Sequence, residues 1–171
     1  GPSSDMLDIL AFWYQLILAS EPLLRESIAL LDASGEEDEF TLNLRDFYVK
    51  HLNDESDHAK WLLEDLQGHP INLHFAAAQL AGMAYYLIRH YHPVALMGYM
   101  MALEGVPIQM EYVGAVEREH GEAAARTLRH HAEEDPKHFQ ELQAFPIPEE
   151  WKALVEATRK QTRLIVETTH V

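Results

Sequence analysis

Wherever apolar residues are periodic in this chain they recur at intervals of three and four, the spacing that lines one face of a helix. Leu7, Leu10, Ala11, Tyr14 and Leu18 set the first stripe. Ser20, Glu21 and Pro22 then read as its end and as the start of a second helix over about 22–32, with proline in the first turn. The polar stretch from Ala33 to Glu39 interrupts the pattern, after which Thr41 or Asn43 is suited to cap a long helix running to Gly68. His69 and Pro70 separate that helix from an alanine-rich, strongly apolar one over Asn72 to His90, which stops at His92 and Pro93. Val94 to Glu104 has almost no polar side and is predicted to be buried. Gly105 and Pro107 end it. Helices over Pro107 to Glu119 and Glu122 to Leu142 follow, split near Gly121, and Pro146 and Pro148 precede a last one over about 149–168. With no alternating strand pattern and no low-complexity stretch, the fold class is all-α, a bundle of about seven to eight helices in a single domain over 5–171.

Composition narrows what such a bundle can do. A chain of 171 residues that is 47% hydrophobic can bury one substantial core. Its 13 lysines and arginines against 28 acids give a net charge of −15, which argues against nucleic acid or an anionic membrane as a partner. There is no cysteine, so disulfides, thiolate nucleophiles and iron–sulfur ligation are excluded, and any metal must be held by imidazole and carboxylate. Those donors suit iron, manganese and, less selectively, zinc. Gly1-Pro2-Ser3-Ser4 reads as a residual cloning scar, and Leu7 to Ala19 is too short to span a bilayer and is interrupted by Asp8 and Gln15. The expectation is a cytoplasmic protein acting on a small molecule, without nucleic acid or membrane; a homodimer is compatible with this reading.

Two segments carry the chemistry. His51, Asp54, Glu55 and His58 in the first half, and His131, Glu134, Asp135 and His138 in the second, each set two histidines seven residues apart around acids at the fourth and fifth positions. On a helix each set shares one face, and its two histidines stand roughly 10 Å apart along the axis, too far to ligate one ion comfortably. That is a two-metal pattern. A single such segment can arise on a solvated face of a chain with 11 histidines and 28 acids; its repetition, each copy running on into an amphipathic turn (Trp61 to Leu66, Phe139 to Leu142), favours a core site.

Glu104 is the third element. It ends an otherwise apolar run, where a carboxylate costs several kcal/mol unless a cation or donors meet it. The plain alternative is a helix-terminal residue reaching water; a bridging ligand is the preferred reading. Glu55, Glu104 and Asp135 bring three negative charges against four from two divalent ions, which leaves room for one anionic oxygen species. Asp54 can complete the balance.

Together these residues resemble the haem-oxygenase-like di-metal oxidases, also called iron-containing redox enzymes. The resemblance covers about residues 45–142 and rests on His51, Asp54, Glu55 and His58 with the following Trp61, on Pro93 to Glu104, and on His131, Asp135, Pro136 and His138. It implies a haem-oxygenase-like helical bundle holding two Fe(II) ions, with manganese or zinc as alternatives and dioxygen as co-substrate. Carried over by position, Glu55, His58 and His138 would hold one iron, and His131 and Asp135 the other, with Glu104 bridging or completing the second. Some members have a carboxylate where this chain has His51. The activity implied is that of a non-haem di-iron oxidase or oxygenase acting on a small organic substrate, amino-acid-like or fatty-acid-like.

The rival reading is a non-catalytic bundle, ferritin-like, that stores or senses metal or binds a small molecule. Haem oxygenation itself fits less well, because it favours a basic rim for haem propionates and this chain is acidic. Arg89, with Tyr86 beside it, can meet a substrate carboxylate, although an interhelix ion pair is the simpler role. His74, His120 and Trp61 read as core or boundary residues, and Met97, Met100 and Met101 as packing. Pro136 follows a ligand candidate inside a helix, removes one backbone donor, and is expected to kink and loosen that helix.

Overall fold

The structure is a computed structural model that describes residues 4–65 and 73–169. Among these residues there is no strand, and the chain forms eight helices: α1 (Ser4–Ser34), α2 (Glu39–Glu55), α3 (His58–Asp65), α4 (Phe75–His90), α5 (Ala95–Glu104), α6 (Met110–His120), α7 (Glu122–Ala144) and α8 (Glu149–Thr169). The all-α expectation holds. No described helix is long and apolar enough to cross a membrane.

α5 is the axis of the bundle. Every residue from Ala95 to Ala102 is buried, and the helix packs on α1, α4, α7 and α8. Its closest neighbour is α8, and Gly98 explains the approach: a side chain there would overlap the Val155 carbonyl oxygen and reach 3.0 Å from the Arg159 amide nitrogen. Thr158 and Thr162 sit on the buried face of α8 because each returns its hydroxyl to the carbonyl one turn earlier, Leu154 at 2.8 Å and Thr158 at 2.7 Å. A smaller cluster of Val113, Val116, Ala125 and Leu128 joins α6 to α7, which part at Gly121, whose φ of +88° few other residues adopt at low cost.

α4 begins at Phe75 rather than Asn72 and α6 at Met110 rather than Pro107, and three further boundaries differ from those expected. α1 runs through Pro22 without ending, because Leu16 and Ile17 before the proline and Leu23 and Leu24 after it are all buried; that shared burial outweighs one missing backbone donor. The cap of α2 is Asp38, whose carboxylate accepts from the Thr41 amide at 3.0 Å, rather than Thr41 or Asn43. The long helix that follows is broken after Glu55, where Ser56 bonds the Asn53 carbonyl at 3.2 Å amid the polar run Asn53, Asp54, Ser56 and Asp57. Short polar side chains of this kind compete for backbone groups. Gly68, His69, Pro70, Asn72 and Leu66, with the first three residues of the proposed scar, lie outside the described residues. Pro136 does not interrupt α7, which is helical from Glu122 to Ala144.

The α4–α5 corner is fixed by two bonds. The Tyr48 hydroxyl on α2 donates to the Pro93 carbonyl at 2.7 Å, and the His92 ring accepts from the Val94 amide at 2.9 Å while stacking on Trp151. This corner sets the start of α5, and thereby where Glu104 emerges at its end.

Candidate metal centre

Three pieces of chain converge at one place. α2 and α3 contribute His51, Glu55 and His58, α5 ends on Glu104, and α7 contributes His131, Asp135 and His138. All seven are withdrawn from solvent: His51, Glu55, His58, Asp135 and His138 are buried, and the side chains of Glu104 and His131 are only 12% and 11% exposed. Glu104 is thus mostly withdrawn from water, with its Oε2 buried. Their donor atoms form three groups, each within 4.8 Å: Glu55 with His58 and His131; His51 with Glu55 and Glu104; Glu104 with Asp135 and His138. Glu55 and Glu104 each belong to two groups.

The two repeated segments cross in opposite directions. The first histidine of one faces the last of the other, with ring centroids 5.3 Å apart for His51 and His138 and 4.8 Å apart for His58 and His131. Histidines seven residues apart therefore lie in different groups, in keeping with the helical spacing. The partition differs from the one implied by resemblance: His131, not His138, joins Glu55 and His58, and His138 joins Glu104 and Asp135. Asp135 touches both halves, since its carboxylate also lies 3.2 Å from His131 Nδ1. The direction of α7 across α2 and α3 decides this, and no spacing within a single segment encodes it.

Neighbouring donors hydrogen-bond one another. His51 Nε2 is 2.9 Å from Glu104 Oε1, and His58 Nδ1 is 2.8 Å from Glu55 Oε2. Burial pushes the Glu55 carboxyl up, but the His58 bond and the nearby imidazoles outweigh it and bring its pKa down to about 2. For Glu104 burial wins, and its pKa rises despite His51. Burial opposes charge on His51 and His131, yet Glu104 and Asp135 respectively raise both above the ordinary value. Three buried atoms of the cluster, Glu104 Oε2, His131 Nε2 and His138 Nδ1, find no hydrogen-bond partner in the protein. Orphaned polar atoms at such depth are costly, and a divalent cation would satisfy them. The imidazole and carboxylate donor set fits iron, manganese or zinc.

Of the neighbours, Trp61 was read from sequence as a core or boundary residue, and His130 was not singled out. Trp61 packs on His58 with ring centroids 5.3 Å apart, and His130 meets both, 4.7 Å from His58 and 5.4 Å from Trp61. Arg126 lies over the outer face of Trp61. The spacing of Trp61, three after His58 on α3, is the signal that was available. Asp54 stands at the rim, 44% exposed and 3.9 Å from His138. Arg89 pairs with Glu26 of α1 at 3.2 Å, and Tyr86 is exposed; neither lines the cavity that adjoins the cluster.

That cavity, about 60 Å³, is walled by α1, α5 and the cluster itself, with Trp13, Leu16, Leu96, Met100 and Leu103 among its apolar sides. Of the polar residues lining it, Tyr99 was read only as part of the α5 run; a tyrosine in an otherwise apolar helix needs a partner for its hydroxyl, and that was its signature. No family model, curated protein or solved structure matches the chain.

Proposed function

We propose that the chain is a haem-oxygenase-like non-haem di-iron oxidase or oxygenase. The observation that carries the reading is the convergence of four imidazoles and three carboxylates from α2, α3, α5 and α7 into overlapping donor groups beside an apolar cavity. Two ferrous ions, when bound, supply the capacity to activate dioxygen for oxidation of a small organic molecule. The protein's own part follows from its side chains. His58 and His131 serve one half of the centre, and His51 and His138 the other. Glu55, Glu104 and Asp135 lie where carboxylates can be shared between halves, and their three charges nearly balance two divalent cations. Trp61 and Phe47 pack against His58 and His51 and hold those rings. The apolar walls of the cavity exclude water from the reacting substrate.

Anaerobic titration with ferrous iron, followed by air, tests the reading. The expected result is two irons per chain, with oxygen consumed and a visible absorption that rises and decays in proportion to that loading. Two irons bound with no oxygen consumption would instead identify a metal-storing or metal-sensing bundle, and fewer than two would remove the paired centre.

A further inference from the structure

Besides five residues of the cluster, the cavity is lined by Trp13, Leu16, Leu96, Met100, Tyr99 and other uncharged side chains, with no lysine or arginine among the described residues. At about 60 Å³ the cavity has room for roughly four to six waters, or for one compact molecule. Outside the cluster, no lining residue among the described residues carries a cation that could meet a charged group. The described lining residues outside the cluster with a polar side-chain atom are Ser20, Tyr99 and Trp13, whose indole N–H is a donor. The Ser20 hydroxyl donates to the Leu16 carbonyl at 3.0 Å, whereas the Tyr99 hydroxyl is buried with no partner in the protein. Burial also raises the Tyr99 pKa, which keeps its proton on the oxygen as a neutral donor.

Building on the oxidase reading, we propose that the cavity selects a compact substrate with a largely apolar body that carries a hydrogen-bond acceptor, and that Tyr99 is the specificity-determining residue that donates to it. The acceptor is a carbonyl or ether oxygen. An unmet buried hydroxyl discriminates strongly because a ligand without an acceptor leaves it unpaired. Arg89, held by Glu26 outside the cavity wall, has no part in recognising the substrate.

The test uses 2-pentanone, n-pentane and pentanoate as probes, read by the methyl resonance of Met100, which lines the cavity. Each is titrated into metal-free protein and into protein loaded with redox-inert zinc. 2-Pentanone is expected to bind more tightly than n-pentane in both forms, and pentanoate more weakly than the ketone in the metal-free form, where no metal offsets the carboxylates of the cluster. In Tyr99→Phe the ketone should lose about threefold to tenfold in affinity, the worth of one neutral hydrogen bond, while n-pentane keeps its own. The comparison among probes in the parent protein stands even if that variant does not fold. An unmoved Met100 resonance, pentanoate binding metal-free protein as tightly as the ketone does, or a ketone preference that survives Tyr99→Phe would overturn the proposal. Because the metal-free arm does not depend on iron, ketone binding without two-metal loading would sink the oxidase reading and leave this one standing.

Discussion

His51 and Glu104 are 53 positions apart in sequence, yet Nε2 of the first lies 2.9 Å from Oε1 of the second. That contact closes α2 onto the end of α5. Glu104 also belongs to the group with Asp135 and His138, whereas His51 belongs to one group alone. Glu104→Ala is therefore expected to weaken both metal positions by at least about tenfold to a hundredfold, the range for disturbing even an outer partner of a ligand, and His51→Ala to weaken one. Elemental analysis after equilibration with limiting ferrous iron reads the difference, and retention of one full-strength ion in Glu104→Ala would reduce that residue to a terminal ligand.

Paired histidine substitutions test how the rings are shared. His58→Ala and His138→Ala should each cost one ion. The double variant His58→Ala/His131→Ala removes both rings from one half and should still hold one ion, whereas His58→Ala/His138→Ala strikes both halves and should hold none tightly. If His58 and His138 instead served the same ion, the second double variant would retain one, and metal-to-protein ratios decide between these outcomes.

Pro136 lies between Asp135 and His138, and α7 stays helical across it with one backbone donor missing. Pro136→Ala restores that donor and raises helix propensity by about 3 kcal/mol in an ideal context, less in a helix that already accommodates the ring. The metal-free variant should show slower amide exchange over residues 130–140 and gain less thermal stability from ferrous iron than the parent, since less ordering remains for the metal to drive. Equal protection of this helix in the metal-free and metal-loaded parent would leave Pro136 without a role in loading.

Burial lowers the pKa of His92 below its ordinary 6.5, overriding the pull of Glu36, Glu150 and Asp38. The folded state thus binds the proton less readily than the unfolded state. This group costs nothing above 6.5, and stability is lost as pH falls from there through the folded value. His92→Phe keeps an aromatic ring against Trp151 but gives up the Val94 amide bond, about 1 kcal/mol at any pH. Its denaturation midpoint should decline less than the parent's on the acid side of 6.5. Parallel curves would show that this ring does not set the acid limb.

Gly98→Ala puts a methyl group against the Val155 carbonyl oxygen and within 3.1 Å of Thr158 Cβ, all in the most intimate helix contact of the bundle. α5 and α8 must then part, at a cost of roughly 1–3 kcal/mol by the usual scale of overpacking. Urea unfolding should show the loss, and an unchanged midpoint would mean that the two helices separate without penalty.

What could be read in advance was local. Gly105 with Pro107, Gly121, and Pro146 with Pro148 punctuate the helices where the structure does, because each acts through its own backbone. The seven buried donors were also legible, since helical spacing grouped each segment and an acid closing an apolar run demanded a partner. What stayed hidden required the tertiary arrangement. Pro22 loses its power to stop α1 only because buried leucines flank it on both sides, and the break after Glu55 comes from a polar cluster rather than a glycine or proline. The exchange of histidines between halves and the unpaired Tyr99 hydroxyl both depend on which helices meet.

The opposed crossing of the two histidine segments has an evolutionary and mechanical consequence. Neither segment owns a site, so duplicating one alone would not yield a working half, and a chain severed between them would leave each fragment with single rings instead of pairs. On the proposed reading, ion capture would thereby double as a proofreading step for assembly. Only a chain whose first and second halves have docked in the correct mutual direction can bring both ring pairs together, and a misfolded competitor with the same donors on the same helices would be left unloaded.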